Sequence, residues 1–381
     1  MWKSWRRPWL NWQNKKSKGG LTLKIRDIQL KHLSIPLKKP FKTALRTVES
    51  AENTIVVMST EEGQIGYGEA PPTMVITGES NESIRSAIEY TMKDKLIGKS
   101  LQQTEEIFDI IQSSSVGNHS AKAAVDMAVY DLIGKQYKTP LYKYLGGYRN
   151  EVETDLTISL DEPTEMQLDA LAAVEQGFRA LKLKVGTNEK KDIERIRRIK
   201  EVIGNRATIR LDANQGWSPK EAIRIIRKLE ELNIPIEFIE QPVDAHDIEG
   251  LKMVTEQVMI PIMADESLFS PADAVKILQN RAADLLNIKL MKCGGIYNAL
   301  KIITIAEIYG IPCMLGSMIE SKVSLTAAVH VAAAKKIVTK VDLDAGILLA
   351  EDPVIGGFNQ MLPVFTLTDS PGLGIDKIVG L

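Results

Sequence analysis

The sequence has few cysteines, few histidines and no long apolar run, and each of these shortages argues against certain classes of protein. Its 381 residues contain only two cysteines, Cys293 and Cys313, which form no C-x-x-C pair, so a reducing cytoplasm is the expected location. No apolar run approaches the roughly 18 residues of a membrane span. Lysine plus arginine (48) balance aspartate plus glutamate (49), a balance that gives no sign of nucleic-acid binding.

The first twenty residues differ in composition from the rest of the chain. Trp2, Trp5, Trp9 and Trp12 stand among basic residues, but the apolar core of a secretory signal peptide does not follow them. We predict that residues 1–20 are a disordered extension, or that they reflect a translation start placed too early. A tail that binds a membrane surface or a partner is the alternative.

The segment after this tail has the pattern of a small α+β domain over residues 21–147. It opens with the alternating strand "LTLKIRDIQLKHLSIPL", and "TIVVMSTEEGQIGYGEA" predicts a hairpin that turns at Glu62 and Gly63. Two stretches then predict helices, "SIRSAIEYTMKDKLIG" and "AKAAVDMAVYDLIGKQYKTPLYKYLGG", the second ended by a proline and a Gly-Gly pair.

Short apolar runs alternate with helical segments over residues 148–345. Eight such strands with intervening helices, in units of somewhat under about 30 residues, predict a (β/α)₈ TIM-type barrel. A doubly wound open sheet is the alternative, but no glycine-rich phosphate-binding pattern follows the first strand. The predicted strands are "ETDLTIS", "ALKLKV", "TIRLDAN", "IEFIEQP", "IPIMADE", "LLNIKLM", "PCMLGSM" and "VDLDA".

Charged residues recur at the C-terminal ends of successive predicted strands. They are Lys184, Asp212, Glu240, Asp265 and Lys289, separated by 28, 28, 25 and 24 positions, or one βα unit each. A barrel brings these strand ends to one mouth, where barrel active sites lie. An N-cap or a rim salt bridge could explain one carboxylate, but three converging carboxylates would repel each other, and a divalent cation removes that repulsion.

Carboxylate ligands without histidine or cysteine predict a hard metal ion. Mg²⁺ is the expected cofactor and Mn²⁺ a possible substitute. Such an ion, bound to a substrate carboxylate, would stabilise the enediolate that forms when the neighbouring α-proton leaves. A zinc hydrolase is not expected, because the histidines all lie outside the strand-end set: His32, His119, His246 and His330.

Lys182 and Lys184 share one face of the strand "ALKLKVG", because strand side chains alternate between two faces. The alternative is that this segment is an edge strand whose charged face is exposed to solvent. We expect Lys182 to stay charged beside the substrate carboxylate. Lys184 is expected to act as a base whose pKa is lowered by that ammonium, the metal and the exclusion of water. Lys289 comes from across the metal and can approach the opposite face of the same carbon, so inversion is the predicted result.

These residues resemble those of the enolase superfamily, in its muconate-lactonizing-enzyme-like subgroup. The resemblance covers the chain from about residue 22, through "GYGEAPP", "LKLKVG", "RLDANQGW", "EQP", "ADES", "NIKLMKCGG" and "SPGLGI". It implies a barrel with an α+β capping domain, to which the C-terminal segment 346–381 returns. It also implies that Asp212, Glu240 and Asp265 bind the metal, and that Lys184 and Lys289 are the opposed acid and base.

Local features of the sequence resemble one branch of this superfamily in particular, the dipeptide epimerases. In that branch Asp342 and Asp344 of "VDLDA" would receive the α-ammonium of a dipeptide, and Arg46 would meet the side-chain carboxylate of a C-terminal glutamate. The resemblance implies interconversion of L-Ala-D-Glu and L-Ala-L-Glu in murein peptide recycling. The remaining candidate substrate-binding residues are Lys182, Thr157, Ser317, Met318 and Ile319.

Several alternatives stay open at this point. The same metal and lysines would serve an N-acylamino acid racemase, an o-succinylbenzoate synthase or a muconate cycloisomerase, although Asp342 and Asp344 fit poorly with substrates that lack an ammonium group. A non-catalytic binding protein that has kept the barrel is the alternative from another class. The preferred dipeptide is left open, and so is the oligomeric state, for which a homo-oligomer is one option.

Overall fold

The computed structural model describes residues 23–43 and 46–381. The extension predicted over residues 1–20 lies outside the described residues, as do Ala44 and Leu45. The strands are β1 Ile25–Lys42, β2 Thr47–Thr60, β3 Ile65–Ala70, β4 Glu151–Glu153, β5 Leu156–Ile158, β6 Ala180–Lys184, β7 Thr208–Asp212, β8 Ile236–Glu240, β9 Ile262–Ala264, β10 Leu285–Lys289, β11 Cys313–Gly316, β12 Val338–Asp342, β13 Val354–Gly356, β14 Asn359–Met361, β15 Val364–Thr366 and β16 Ile375–Ile378.

Helices precede, separate and follow the barrel strands. Within the described ranges, none is long and apolar enough to cross a membrane. The helices are α1 Asn81–Ala87, α2 Asp94–Leu96, α3 Thr104–Ser113, α4 His119–Gln136, α5 Leu141–Leu145, α6 Pro163–Glu175, α7 Glu189–Ile203, α8 Pro219–Glu231, α9 Ile248–Gln257, α10 Pro271–Gln279, α11 Leu290–Cys293, α12 Ile296–Tyr309, α13 Lys322–Ala334 and α14 Ala345–Leu348, with a π-helical segment Ile88–Lys93 between α1 and α2.

The strands β5 to β12 form one parallel sheet in chain order, which is the topology of a (β/α)₈ barrel. The first and last strands meet where the Asp155 N–H donates to the Val341 carbonyl at 3.3 Å, so the sheet is nearly closed. The predicted barrel is confirmed. Its eighth helix, α14, is only a single turn.

The barrel helices begin where the sequence supplies caps. Before α8, the Ser218 hydroxyl accepts from the Glu221 N–H, and the Glu221 carboxylate accepts from the Ser218 N–H at 3.0 Å, which forms a capping box. Before α10, the Ser270 hydroxyl accepts from the Asp273 N–H at 3.2 Å. A proline in the first turn follows each serine, and its fixed φ suits a helix start.

The antiparallel sheet β1-β2-β3 and helices α1 to α5 form a unit that we call the cap. The predicted turn at Glu62 and Gly63 lies between β2 and β3. Helix α4 packs on β3, and its residues from Ser120 to Gly134 are all buried. The second helix predicted from the sequence is in fact two helices, α4 and α5, because Pro140 is extended (ψ 140°) and interrupts the helical path.

The chain after the barrel contacts the cap. β13 pairs with β16, while β14 and β15 form a small antiparallel sheet with β4. The Ala350 N–H donates to the Pro36 carbonyl at 2.9 Å, and the Leu141 N–H donates to the Gly372 carbonyl at 2.8 Å. The domain boundaries near residues 147 and 345 stay a prediction.

A buried carboxylate joins the cap to the barrel. Asp126 on α4 accepts from the Ile296 N–H at 2.6 Å and the Tyr297 N–H at 3.2 Å, so it satisfies donors at the N-terminus of α12. Gly295 permits this approach, because a Cβ at its position would lie 2.4 Å from Asp126 Cγ and its φ is +113°. The glycine pair of the "KCGG" motif is therefore placed where a carboxylate enters from the cap.

Replacing Asp126 should destabilise the protein. Asp126→Ala leaves two buried N–H donors without a partner, so the free energy of unfolding should fall by about 2 kcal/mol, and Asp126→Asn, which keeps one acceptor oxygen, should cost about half of that. Denaturant unfolding of the two variants beside the wild type measures both values. Equal stability of Asp126→Ala and the wild type would contradict this role.

Candidate active site

A cleft lies between the cap and the C-terminal ends of the barrel strands. Barrel enzymes carry their active sites at this end. The cleft brings together predicted residues that are up to about 300 positions apart in the chain. Those that line it are Arg46, Thr157, Lys182, Lys184, Lys289, Ser317, Met318, Ile319, Asp342 and Asp344.

Strand register sets the positions of the charged residues. On one side of the barrel, Lys184 pairs with Asp212 and Asp212 pairs with Glu240, each on the neighbouring strand. On the other side, Lys289 pairs with Gly316. Asp265 immediately follows β9. The one-unit spacing seen in the sequence thus corresponds to adjacent strand ends.

Lys182 lies inside the barrel rather than on a wet edge, since β6 is flanked by β5 and β7. Its Nζ is 2.7 Å from Asp342 Oδ2, 2.7 Å from Glu240 Oε2 and 3.0 Å from Asp212 Oδ2. Although complete burial opposes the charge, these carboxylates raise the pKa of Lys182 well above its usual value. The ammonium group therefore stays charged.

The other two lysines each contact a different carboxylate. Lys184 Nζ is 2.6 Å from Asp212 Oδ2, and Lys289 Nζ is 2.9 Å from Asp265 Oδ2. Burial lowers the pKa of Lys289, but the Asp265 carboxylate outweighs burial and the pKa lies above its usual value. The lowered pKa predicted from the sequence was that of Lys184, the expected base. At Lys289 the protein's own carboxylates act in the opposite direction.

The three predicted metal ligands are all fully buried but differ in electrostatic environment. Burial and repulsion from Asp212 raise the pKa of Glu240 to about 8. Burial also opposes ionisation of Asp212, but Lys184 and Lys182 lower its pKa to about 2. At Asp265, too, nearby lysines outweigh burial and lower the pKa. Unequal affinity for protons within one cluster is typical of functional sites.

The donor chemistry at these carboxylates fits a hard divalent cation. Glu240 Oε2 and Asp265 Oδ1 are buried and accept no well-aligned hydrogen bond among the described residues, although lysine ammonium groups lie within ion-pair distance. Over residues 23–43 and 46–381, no three acidic, histidine or cysteine side chains are already grouped as a metal site, and the Lys182 ammonium lies between Asp212 and Glu240. Anionic oxygens at this depth suit Mg²⁺.

The sequence argument missed the amide that supports Glu240. Asn287 Nδ2 donates to Glu240 Oε1 at 2.7 Å, and both residues are fully buried. Gly316 makes room for this contact, because a Cβ there would lie 2.7 Å from Asn287 Oδ1. Asn287 precedes Lys289 by two positions on β10, so the strand period could have placed both on one face.

Other residues of the site were harder to predict from the sequence. Lys292 is fully buried on the short helix α11, and its Nζ is 2.5 Å from Asp265 Oδ1. Its place in "KLMKCGG" breaks the strand period, so the pattern did not indicate an inward direction. Phe41, Val75 and Ile76 complete the cleft from the cap side. These apolar residues are indistinguishable from core residues in the sequence.

The alternate positions of Asp342 and Asp344 in "VDLDA" would place them on one face of a strand, but the structure does not continue the strand that far. β12 ends at Asp342, and Asp344 immediately precedes the single turn α14. Both carboxylates still line the cleft. Asp344 Oδ2 accepts from the Thr157 N–H at 2.6 Å, and burial together with Asp342 raises the pKa of Asp344 to about 6.

Arg46 faces the cleft from the cap. Its backbone N–H donates to Thr43 Oγ1 at 3.2 Å, which links the segment after β1 to the start of β2. Burial lowers the pKa of the guanidinium, and no carboxylate of the described residues contributes to that shift. A half-buried guanidinium without a protein counter-ion is suited to an anionic ligand.

Comparisons with known proteins identify the class. Residues 25–146 match the mandelate racemase / muconate lactonizing enzyme N-terminal domain, and residues 165–377 match the enolase C-terminal domain-like family. The chain therefore belongs to the mandelate racemase / muconate lactonizing enzyme family of the enolase superfamily. The resemblance that its motifs predicted is confirmed.

Individual relatives extend over almost the whole chain. The L-Ala-D/L-Glu epimerase of Clostridium acetobutylicum is 53% identical over 93% of this chain and 99% of its own length. A substrate-liganded L-Ala-D/L-Glu epimerase from Bacillus subtilis is 50% identical, with a TM-score of 0.93 over 93% of this chain and 99% of its own. A dipeptide epimerase from Enterococcus faecalis V583, complexed with Mg and L-Leu-L-Tyr, is 45% identical, with a TM-score of 0.90 over 93% and 100% of the two chains.

Removing one carboxylate charge should weaken magnesium binding. Glu240→Gln changes the side chain little in shape but removes a buried anion, so we expect at least about tenfold weaker Mg²⁺ affinity by titration calorimetry. Glu237→Gln is the matched control, because Glu237 lies on the same strand but pairs with Arg210 and Lys340 outside the cleft. Unchanged affinity in Glu240→Gln would contradict the assignment.

Proposed function

We propose that this protein is a Mg²⁺-dependent isomerase that epimerises dipeptides at the α-carbon of the C-terminal residue. The observation that carries the proposal is the placement of Lys184 and Lys289 on β6 and β10, from which both line one cleft. Proton removal on one face of a carbon and return on the other needs two such groups. The bare barrel fold needs neither lysine.

The chain's own residues have separate tasks in this reaction. Magnesium, when bound by Asp212, Glu240 and Asp265, supplies positive charge that stabilises the negative charge developing on the substrate carboxylate. Lys182 stays charged and orients that carboxylate. Lys184 and Lys289 exchange protons with the α-carbon from opposite faces. Mn²⁺ has the same preference for oxygen ligands and is the expected substitute.

The cleft wall supports a dipeptide with an acidic C-terminal residue. Asp342 and Asp344 offer two carboxylates to a free α-ammonium. The guanidinium of Arg46, which has no ion pair with any described residue, offers a bidentate contact to a side-chain carboxylate. Thr157, Ser317 and Met318 form the wall between these charges. We infer that L-Ala-D-Glu and L-Ala-L-Glu are the substrates, with murein peptide recycling as the physiological role.

The competing functions differ in whether their substrates can pair with Asp342 and Asp344. The substrates of an N-acylamino acid racemase, an o-succinylbenzoate synthase or a muconate cycloisomerase carry no ammonium group that could pair with Asp342 and Asp344. A non-catalytic binding protein would retain buried lysines and carboxylates whose desolvation is costly and serves no purpose in the fold. Both alternatives leave charged residues of the cleft without a role, whereas a dipeptide epimerase uses them.

Two further expectations accompany the proposal. Cys293 and Cys313 are both free and buried, which supports a reducing, cytoplasmic location. Assembly into a homo-oligomer stays a prediction, and a measurement of molecular mass in solution would test it.

The two lysines should differ in the stereoisomer on which they act. Lys184→Ala and Lys289→Ala should each abolish epimerisation, because inversion needs both faces. The surviving lysine can still remove and return a proton on its own face. Each variant should therefore exchange the α-proton of one stereoisomer with D₂O, and NMR follows this exchange directly. If both variants kept exchange with the same stereoisomer, the opposed arrangement would be wrong.

Charge at the cleft wall should set substrate preference. Asp344→Asn keeps an acceptor for the Thr157 N–H but removes the negative charge, so kcat/KM on L-Ala-L-Glu should fall by about 10- to 100-fold. An N-acetylated substrate should be affected far less, because it carries no ammonium group. Faster turnover of N-acylated amino acids than of free dipeptides by the wild type would favour the racemase alternative.

The role of Arg46 is tested by comparing substrates of different charge. Arg46→Ala should lower kcat/KM for L-Ala-L-Glu by at least about tenfold more than for L-Ala-L-Met, because only the first has a side-chain carboxylate. Steady-state kinetics on both dipeptides give the comparison. Equal losses of kcat/KM for the two dipeptides would mean that Arg46 links β1 to β2 and does not contact the side chain of the ligand.

A further inference from the structure

Ile319 separates the active-site cleft from a second space. The second space lies between the cap and the loop after β11, and is lined by Val48, Ser50 and Thr73 among others. Ile319 and Arg46 line both spaces, so together they form a partition between them. Ile319 is only 7% exposed, so its position depends on the neighbours that pack against it and on the backbone that carries it.

A buried amide of the cap fixes the backbone at this partition. Asn53 on β2 is only 1% exposed, and its Nδ2 donates to the Ile319 carbonyl at 3.2 Å. The same Nδ2 donates to Glu69 Oε1 at 2.6 Å, so Glu69 orients the amide. Buried polar groups with complete sets of partners fix a unique local geometry.

The neighbouring residues depend on the same carboxylate. Glu69 on β3 accepts from the Ser321 N–H at 2.8 Å, the Ser321 hydroxyl at 2.8 Å and the Ser324 N–H at 3.0 Å. Glu320, also buried, accepts from the Met318 N–H at 2.7 Å. The loop after β11 is therefore held largely by the cap, and Asn53 is the link that reaches Ile319.

We infer that Asn53 is a positioning residue that holds the Ile319 partition and thereby sets the size of the C-terminal side chain that the cleft accepts. The inference rests on the proposed dipeptide substrate and deepens it. Asn53 does not line the active-site cleft, and its effect on the ligand passes through Ile319. Loosening the partition opens the space beyond it to a bulkier side chain.

The test compares two neutral dipeptides that differ only in side-chain size, L-Ala-L-Phe and L-Ala-L-Ala, so that the charge of Arg46 does not enter. Their dissociation constants are measured by calorimetry with saturating Mg²⁺, for the wild type and for Asn53→Ala. We expect the preference for L-Ala-L-Phe over L-Ala-L-Ala to rise by about five- to tenfold in the variant, the equivalent of one lost hydrogen bond. Magnesium affinity should not change.

A matched control separates positioning from general stability. Asn81→Ala removes another amide of the cap, whose bonds to the Glu52 carbonyl and the Thr54 hydroxyl stay within the cap. It should lower the melting temperature but leave the dipeptide preference unchanged. Asn53→Ser keeps a donor for Glu69 but is too short to reach Ile319 as well, so it replaces Asn53→Ala if that variant does not fold, and the same shift is expected.

The outcomes distinguish this inference from the proposed function. An unchanged preference in the Asn53 variants, or an equal shift in Asn81→Ala, would overturn the positioning role. Failure of the wild type to epimerise L-Ala-L-Glu would refute the proposed function, while the binding ratio of the two neutral dipeptides would still test Asn53. Failure of the wild type to bind either neutral dipeptide would overturn the inference about Asn53, while epimerisation of L-Ala-L-Glu would still support the proposed function.

Discussion

Charge compensation at the barrel mouth is the constraint on which the site depends. Lys182, Lys184 and Lys289 are almost fully buried, and an ammonium group at such depth is stable only beside an anion. Each therefore contacts a buried carboxylate, and Lys182 contacts three. Removing one charge leaves its partner uncompensated, so the side chains of this cluster act as a unit.

The active-site cleft is formed by residues of both the barrel strands and the cap. The strands supply lysines and carboxylates at fixed spacing, which is suited to proton transfer at a carbon next to a carboxylate. The cap supplies Arg46, closes the cleft with apolar residues and, through Asn53 and Glu69, holds the loop that carries Ile319. The barrel thus carries the chemistry and part of the substrate-binding wall, and the cap completes that wall and is joined to it by buried hydrogen bonds.

The sequence predicted most of the site because barrel geometry repeats. Charges one βα unit apart must meet at the same end of the barrel, so the spacing alone places Asp212 and Glu240 together. The position of Asp344 was harder, since a pattern of alternate residues does not reveal that β12 ends at Asp342. The raised pKa of Lys289 results from a balance between burial and the Asp265 carboxylate, and only distances can decide that balance.

Contacts between distant segments were the least predictable. Asn53 and Ile319 are 266 positions apart, and neither stands out locally in the sequence. Asn287 was visible in principle, because it shares a strand face with Lys289. Its partner Glu240, however, belongs to another strand, and the pairing depends on the room left by Gly316. Such complementarity across the barrel is a property of the packed interior rather than of any one segment.

The central claim is that two lysines act on opposite faces of one carbon, and isotope incorporation by the wild type tests it most directly. A single stereoisomer of the dipeptide is converted to low extent in D₂O, and the α-carbon of both the product and the recovered substrate is analysed by mass spectrometry. The account predicts deuterium in the product from the first turnovers, with much less in the recovered substrate. Product that retains the substrate's own α-proton would show that one base serves both faces, and would contradict the account.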